Sequence, residues 1–167
     1  MVDFDSGQLD TRYTAGEGWD EKRKKQRLEL HTGDGRGITT YVGATGKPYK
    51  TGDITKDPYY IPSFQDVKSE IAVPIIDAYR RTRGVINIES PKPDAFDERH
   101  VVLAQALANL ASLGISIDEH RNRERAFVEI GSELARSTDI QSLVSKVVRV
   151  AAEVLRFEDC SLFFLDK

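Results

Sequence analysis

The sequence predicts an α+β fold, an antiparallel sheet followed by long C-terminal helices. Three observations carry that expectation. Residues 69–90 read as two apolar strands joined by a short polar turn; all six prolines lie at or before Pro93, among short strand-like pieces; and a helix-spaced apolar stripe begins soon after it. At 167 residues, 40 % of them hydrophobic, the chain is long enough to bury a one-domain core.

The elements follow in order. Asp5-Ser6-Gly7 is a turn sequence, and residues 8–15 are a strand candidate carrying Leu9, Arg12 and Tyr13. Residues 26–31 are a second, with Leu28 and Leu30 on one side. Gly33-Asp34-Gly35-Arg36-Gly37 is a flexible connection. Residues 38–42 open either a short helix or a strand, Gly46-Lys47-Pro48-Tyr49 forces a turn, and residues 53–64 form an irregular loop around Asp57-Pro58-Tyr59-Tyr60. Ile71, Val73 and Ile75 then alternate with Glu70, Ala72 and Pro74, the period of a half-buried strand. After residues 77–83 the pattern resumes as Val85, Ile86 and Ile88, with Asn87 and Glu89 between them.

Beyond Pro93 the pattern is helical. Asp97 caps the start, with Glu98 well placed in the first turn. Leu103, Leu110 and Ile117 recur every seven residues, as do Ala106, Leu113, His120, Phe127 and Leu134, giving one apolar stripe to about Arg136. About forty helical residues span roughly 60 Å, more than a domain of this size needs. The heptad spacing therefore predicts pairing with a helix of another chain, although His120 and Glu124 interrupt the seam at its middle. Thr138-Asp139-Ile140-Gln141 has capping-box spacing and opens a second helix, buried through Leu143, Val147, Val150, Ala151 and Val154. Residues 161–165, Ser-Leu-Phe-Phe-Leu, are a strand sequence apolar on both faces.

Several function classes are disfavoured. A net charge of −3 gives no general attraction to nucleic acid or anionic lipid. No apolar run reaches the roughly 18 residues of a membrane span, and the N-terminus has no signal-peptide pattern. Cys160, alone, forms no internal disulfide, which favours the cytoplasm; it reads as a small buried hydrophobe. The run Lys22-Arg23-Lys24-Lys25-Gln26-Arg27 is diluted by Asp20, Glu21 and Glu29 and reads as a solvated hairpin loop. The glycine-rich run at 33–37 lacks the Lys-Ser/Thr of a phosphate loop. His31, His100 and His120 have no metal-ligand spacing, so no metal is expected. No nucleophile, base and orienting group form a readable set, so catalysis is not expected.

Residues 69–90, SEIAVPIIDAYRRTRGVINIES, resemble the signature of the GAF family: S-x-x-x-V-P-(I/L), a polar turn, G-V-(I/L)-x-(I/L), then a serine or acidic turn. Gly37-Ile38, Gly46-Lys47-Pro48, Asp53-Ile54 and Asp57-Pro58 fit the middle of that pattern. The resemblance implies a GAF-like, PAS-related sheet. It also implies a non-catalytic sensory or regulatory module of a signalling protein, binding an unknown small molecule and needing no cofactor. By the same resemblance Asp53, Tyr59, Tyr60, Phe64 and Ser69 surround the loop that lids the pocket. Tyr41, Ile71, Asn87 and Glu89 would form its floor and wall, the tyrosines gripping a planar ligand. The alternative is a purely structural dimerisation module in which these aromatics only fill the core. Methionine sulfoxide reductases of this family need several pocket cysteines, which the chain lacks. The Asn-Lys pair of cyclic-nucleotide-binding members and the Cys-His context of tetrapyrrole attachment are also missing.

The family order is interrupted. Residues 1–119 resemble a GAF domain lacking its opening helix and first strand. Residues 120–167 resemble a helical connector followed by the opening helix and first strand of a next repeat, as in a tandem array. Residues 161–165 are expected to fill the missing place in the sheet, most simply in a partner subunit, by reciprocal exchange in a two-fold homodimer; a folded-back monomer is the alternative. Expected partners are thus a second copy, a small molecule and an output domain outside this chain, with no nucleic acid and no membrane.

Overall fold

The two strands expected within residues 69–90 are β5 (Ser69–Ile76) and β6 (Thr82–Ser90), laddered antiparallel from Ser69↔Ser90 to Ile76↔Thr82. The computed structural model describes residues 2–3, 7–16, 25, 27–62, 66–136, 139–155, 161 and 163. Asp77 shapes the turn between the strands. Its carboxylate accepts bonds from the backbone N–H groups of Tyr79 and Arg81 and from Arg81 Nε, each at 2.9 Å.

β4 (Tyr49–Thr51) pairs with the other edge of β5, Tyr49 opposite Ala72 and Thr51 opposite Glu70. It was hidden in sequence because it is three residues long and follows Pro48 directly. A second antiparallel sheet has the order β1 (Val2–Asp3), β2 (Gln8–Asp10) and β3 (Arg27–Glu29), and β1 lies beside β6. β2 and β3 are shorter than the stretches expected, 8–15 and 26–31.

The chain divides into two units, Met1–Gly114 and Ile115–Lys167. In the first, both faces of β5 are covered. Ile71 and Val73 pack against Ala104 and Ala108 of the long helix α2 (Glu98–Ala135), and Ala72 packs against Ile38 and Val42 of α1 (Ile38–Thr45). The expected half-buried strand is therefore buried on both sides. Small residues at 72, 104 and 108 let the layers approach closely, and each fully buried Ile or Val contributes about 1.5–3 kcal/mol.

Beyond the reach of β4, carbonyls of β5 are taken by side chains of α2. Gln105 Nε2 donates to Pro74 O at 3.1 Å and Ser112 Oγ to Ile76 O at 2.7 Å. Asp97 caps α2 as expected, its Oδ1 accepting from the N–H groups of Arg99 and His100.

Of the two readings of residues 38–42, the helix is correct. α1 ends on Gly46 in the left-handed conformation (φ 64°), whose N–H bonds Val42 O at 2.9 Å. Gly43 lets α1 lie close to its neighbours: a Cβ there would stand 2.5 Å from Leu30 Cδ2 and 3.1 Å from Leu9 Cδ1.

The second unit contains the remainder of α2 and α3 (Ile140–Leu155). The cap of α3 is Asp139, one residue later than the expected Thr138. Asp139 Oδ1 accepts from Ser142 N at 2.7 Å. Thr138, Phe64, Cys160 and most of the basic run at 22–27 lie outside the described residues. So does the expected terminal strand, apart from Ser161 and Phe163, neither of which is in a strand; Phe163 is exposed.

α2 contains an 18-residue window long and apolar enough to cross a membrane by length and composition, although polar residues such as Gln105 and Asn109 break any continuous apolar run. The reason is that the helix carries apolar residues both towards the sheet and on its exposed side.

Candidate functional site

The cross-strand register puts Tyr49, Ala72 and Asn87 in one row of the β4–β5–β6 sheet, and Glu70 and Glu89 in the next. Directly opposed residues share a face, here the face that α1 covers. Over it sit three tyrosines. Tyr41, on α1, stacks on Tyr59 with ring centroids 4.1 Å apart, and Tyr49 meets both edge-on at 5.5 and 5.4 Å. The hydroxyls of Tyr41 and Tyr59 are hydrogen-bonded to each other, which raises the Tyr59 phenol above its ordinary value.

Asp57 locks this cluster. Its Oδ2 accepts from the Tyr49 hydroxyl and its Oδ1 from Tyr59 N, both at 2.9 Å. Burial, and then the Asp57 carboxylate, raise the Tyr49 phenol well beyond its usual range. The loop is pinned to the start of α1 by Gly35 N–Pro58 O at 2.6 Å and Gly37 N–Tyr59 O at 2.7 Å.

Glu70 is the electrostatic centre of the face. It is buried, directly opposite Glu89, and hydrogen-bonded to Asn87. Burial first, then the charge of Glu89, push its carboxyl up to about 8 against the lowering effect of Asn87. Asn87 Nδ2 also donates to Glu89 Oε1 at 3.3 Å.

Of the residues expected to line a pocket, the structure brings together Tyr41, Tyr59, Tyr60, Asn87 and Glu89 on this face; Tyr60 packs against the same core cluster as Tyr41 and Tyr59. Ile71 is not among them. It packs against Ala104 and Ala108 on the opposite face, because residues 70 and 71 of a strand point to opposite sides. Ser69 shares that opposite side, and its buried hydroxyl donates to Lys92 O at 2.8 Å, tying the strand to the link before α2. Asp53 is occupied by its own turn, accepting from Thr55 N, Thr55 Oγ1 and Lys56 Nζ. Hydrogen bonds from Lys56 and Thr55 hold its carboxyl down at about 2.

Sequence reading missed Tyr49, Asp57 and Glu70. A signal for Glu70 was present: the residues that alternate with Ile71, Val73 and Ile75 are Glu70, Ala72, Pro74 and Ile76, too apolar a set for a solvated face. Among the described residues no group of three or more His, Cys, Asp or Glu is placed to hold a metal. The site offers phenol hydroxyls, an amide and carboxyls, a set suited to holding a polar, flat ligand by hydrogen bonds.

A family model described as GAF domain matches residues 1–116. Among solved structures, the free methionine-R-sulfoxide reductase of Neisseria meningitidis in complex with its substrate is similar at 26 % identity and a TM-score of 0.57, over 66 % of this chain and 60 % of that one. The type II enzyme of Thermoplasma acidophilum is similar at 26 % identity and a TM-score of 0.50, over 59 % of this chain and 63 % of that one. The chain thus spans less than two thirds of either reductase. The GAF domain of an Acinetobacter phosphoenolpyruvate-protein phosphotransferase shares the fold at 19 % identity and a TM-score of 0.57, over 72 % and 70 % of the two chains. No curated protein matches this chain.

Proposed function

The chain belongs to the GAF domain family, a family of sensory and regulatory modules, and from that premise we propose that it is a non-catalytic sensor. It binds a small polar molecule on the tyrosine face and passes the bound state along α2 to an output domain, in the cytoplasm. The observation that carries this reading is the convergence of the Tyr41–Tyr49–Tyr59 cluster with buried Glu70 and its half-buried cross-strand neighbour Glu89 on one side of the sheet. Tyr41, Tyr59, Tyr60, Asn87 and Glu89 are the contacts, with Tyr49, Asp57 and Glu70 behind them. One similar structure, the Neisseria meningitidis reductase, holds its own substrate.

Reductase chemistry itself is not proposed. The chain has one cysteine, Cys160, and a thiol that reduces a sulfoxide through a disulfide needs a second thiol to resolve it. Signalling requires only that the ligand prefer one arrangement of the helix over another.

A second reading, a dimerisation module without ligand, is favoured by one observation: Tyr41 and Tyr59 stack directly at 4.1 Å, each ring filling the other's binding face. A thermal-shift screen against amino acids, amines, nucleotides and aromatic acids separates the two. A ligand that raises the midpoint of the unmodified chain but not of Tyr59→Ala supports the sensor. No shift from any class, with Tyr59→Ala merely less stable, supports the structural module.

A further inference from the structure

The tyrosine face carries negative charge that no side chain on it balances. Glu70 on β5 is 3 % exposed and stands directly opposite Glu89 on β6. The charges that act on it are those of Glu89 and Asp57, both carboxylates, and its side-chain hydrogen bond comes from the neutral amide of Asn87. Asp57 accepts from the Tyr49 hydroxyl and from Tyr59 N. Cations of the same unit are engaged elsewhere: Lys50 with Glu98, Lys56 with Asp53, and Arg81 and Arg83 with Asp77. We propose that the ligand of this face is a small organic cation, a primary amine without a carboxylate, whose ammonium lies between Glu70 and Glu89 with its carbon chain towards the tyrosine cluster. The assignment rests on the sensor reading above and gives its ligand a chemistry.

Three features select a cation of this kind. Side chains directly opposed across two strands start about 5 Å apart, so one ammonium, with three donors, can serve both carboxylates. Asn87 Nδ2 donates to Glu89 Oε1, which turns its amide oxygen to use as a third acceptor. The faces of tyrosine rings attract a cation and repel an anion, so a free amino acid would bring its carboxylate against three acidic side chains and the rings together. A metal ion fits less well, since among the described residues no group of three or more His, Cys, Asp or Glu is placed to hold one. Exposure is graded along the route: Asn87 is exposed, Glu89 half-buried and Glu70 buried, so the ammonium enters from the β6 side. The titratable groups around Glu70 are Glu89 of β6, Tyr49 of β4, Tyr41 of α1, and Asp57 and Tyr59 of the loop before β5. Because burial and Glu89 hold the Glu70 carboxyl up at about 8, the arriving ammonium displaces its proton. Affinity for an amine is therefore expected to tighten by about tenfold per pH unit from pH 6 towards 8.

The test uses the whole chain and matched probes at millimolar concentration: tyramine, agmatine and putrescine beside tyrosine, arginine and ornithine, each amino acid being its amine plus a carboxylate. Melting midpoints and titration calorimetry at pH 6, 7 and 8 are the readouts. At least one amine is expected to raise the midpoint, to bind about tenfold or more tightly than its amino acid, and to tighten with pH. Glu70→Gln, which keeps the shape and removes the charge, is expected to weaken that amine about tenfold or more and to flatten its pH dependence. Glu89→Gln, at a half-buried position, is expected to weaken it too and serves if Glu70→Gln does not fold. Amine binding unchanged in both variants overturns the site, and equal affinity within every pair overturns the exclusion of a carboxylate. Shifts from amino acids, nucleotides or aromatic acids with none from the amines overturn the cation and leave the sensor standing. No shift from any class overturns both.

Discussion

Glu70 illustrates how a single side chain ties stability to pH. Its carboxyl titrates near 8 in the folded chain against 4.5 as the ordinary value. Between those values the native state keeps a proton that the unfolded state releases, so the contribution of Glu70 to stability is greatest below about pH 4.5 and declines as pH rises to 8. Glu70→Gln removes the ionisation and is expected to flatten that decline. The gain above pH 8 should be on the order of a few kcal/mol, read as the difference in urea midpoints at pH 5 and pH 9. Equal pH slopes in the two proteins would mean that Glu70 is ionised when folded.

Gly43 makes a different demand at the same scale. A methyl there meets Leu30 and Leu9 at 2.5 and 3.1 Å, so Gly43→Ala should destabilise the first unit by about 1–3 kcal/mol even though alanine favours helix. A neutral result in thermal melts would show that α1 can move away freely. Glu70 gave only an indirect signal in sequence, the apolar company of Ala72, Pro74 and Ile76 on its side of the strand, and α1 covering that side gives it its role. Gly43 reads as a weak spot in a helix until its neighbours are in place.

At the scale of elements, the strands of residues 69–90 and the two C-terminal helices were legible because each carries a long, regular period. β4 and α1 were not, because three and eight residues are too few to distinguish periods of 2 and 3.6. The caps behave likewise: Asp97 was readable, while the cap of α3 fell on Asp139 because its carboxylate reaches Ser142 N. Asp97→Ala is expected to cost about 1 kcal/mol, visible as a lower midpoint with unchanged helix content. Ser112→Ala leaves the Ile76 carbonyl without its 2.7 Å donor and should cost about 1–3 kcal/mol. If Ser112→Ala has no effect, Gln105 and packing alone hold α2 on β5.

For the whole molecule, ligand and partner both act by mass action. A ligand held at 100 times its dissociation constant should add about 2.7 kcal/mol to stability, and Tyr59→Ala should abolish that increment. Dimerisation should make the melting midpoint climb with protein concentration; a concentration-independent midpoint, with monomeric mass, would leave the helix face without a second copy.

The residues alone carried the resemblance to the family, in the signature at 69–90, and they determined the paired strands and the two long helical segments, since periodicity and turn chemistry are local properties. They also determined that Ile71 and Glu70 face opposite ways. Only the tertiary structure decided which of those faces meets α1 and which meets α2, and that both are covered. That is why Ile71 belongs to the helix-packed core and Glu70 to the candidate site: a strand's period separates its two faces, but only the elements packed against them say what each face does.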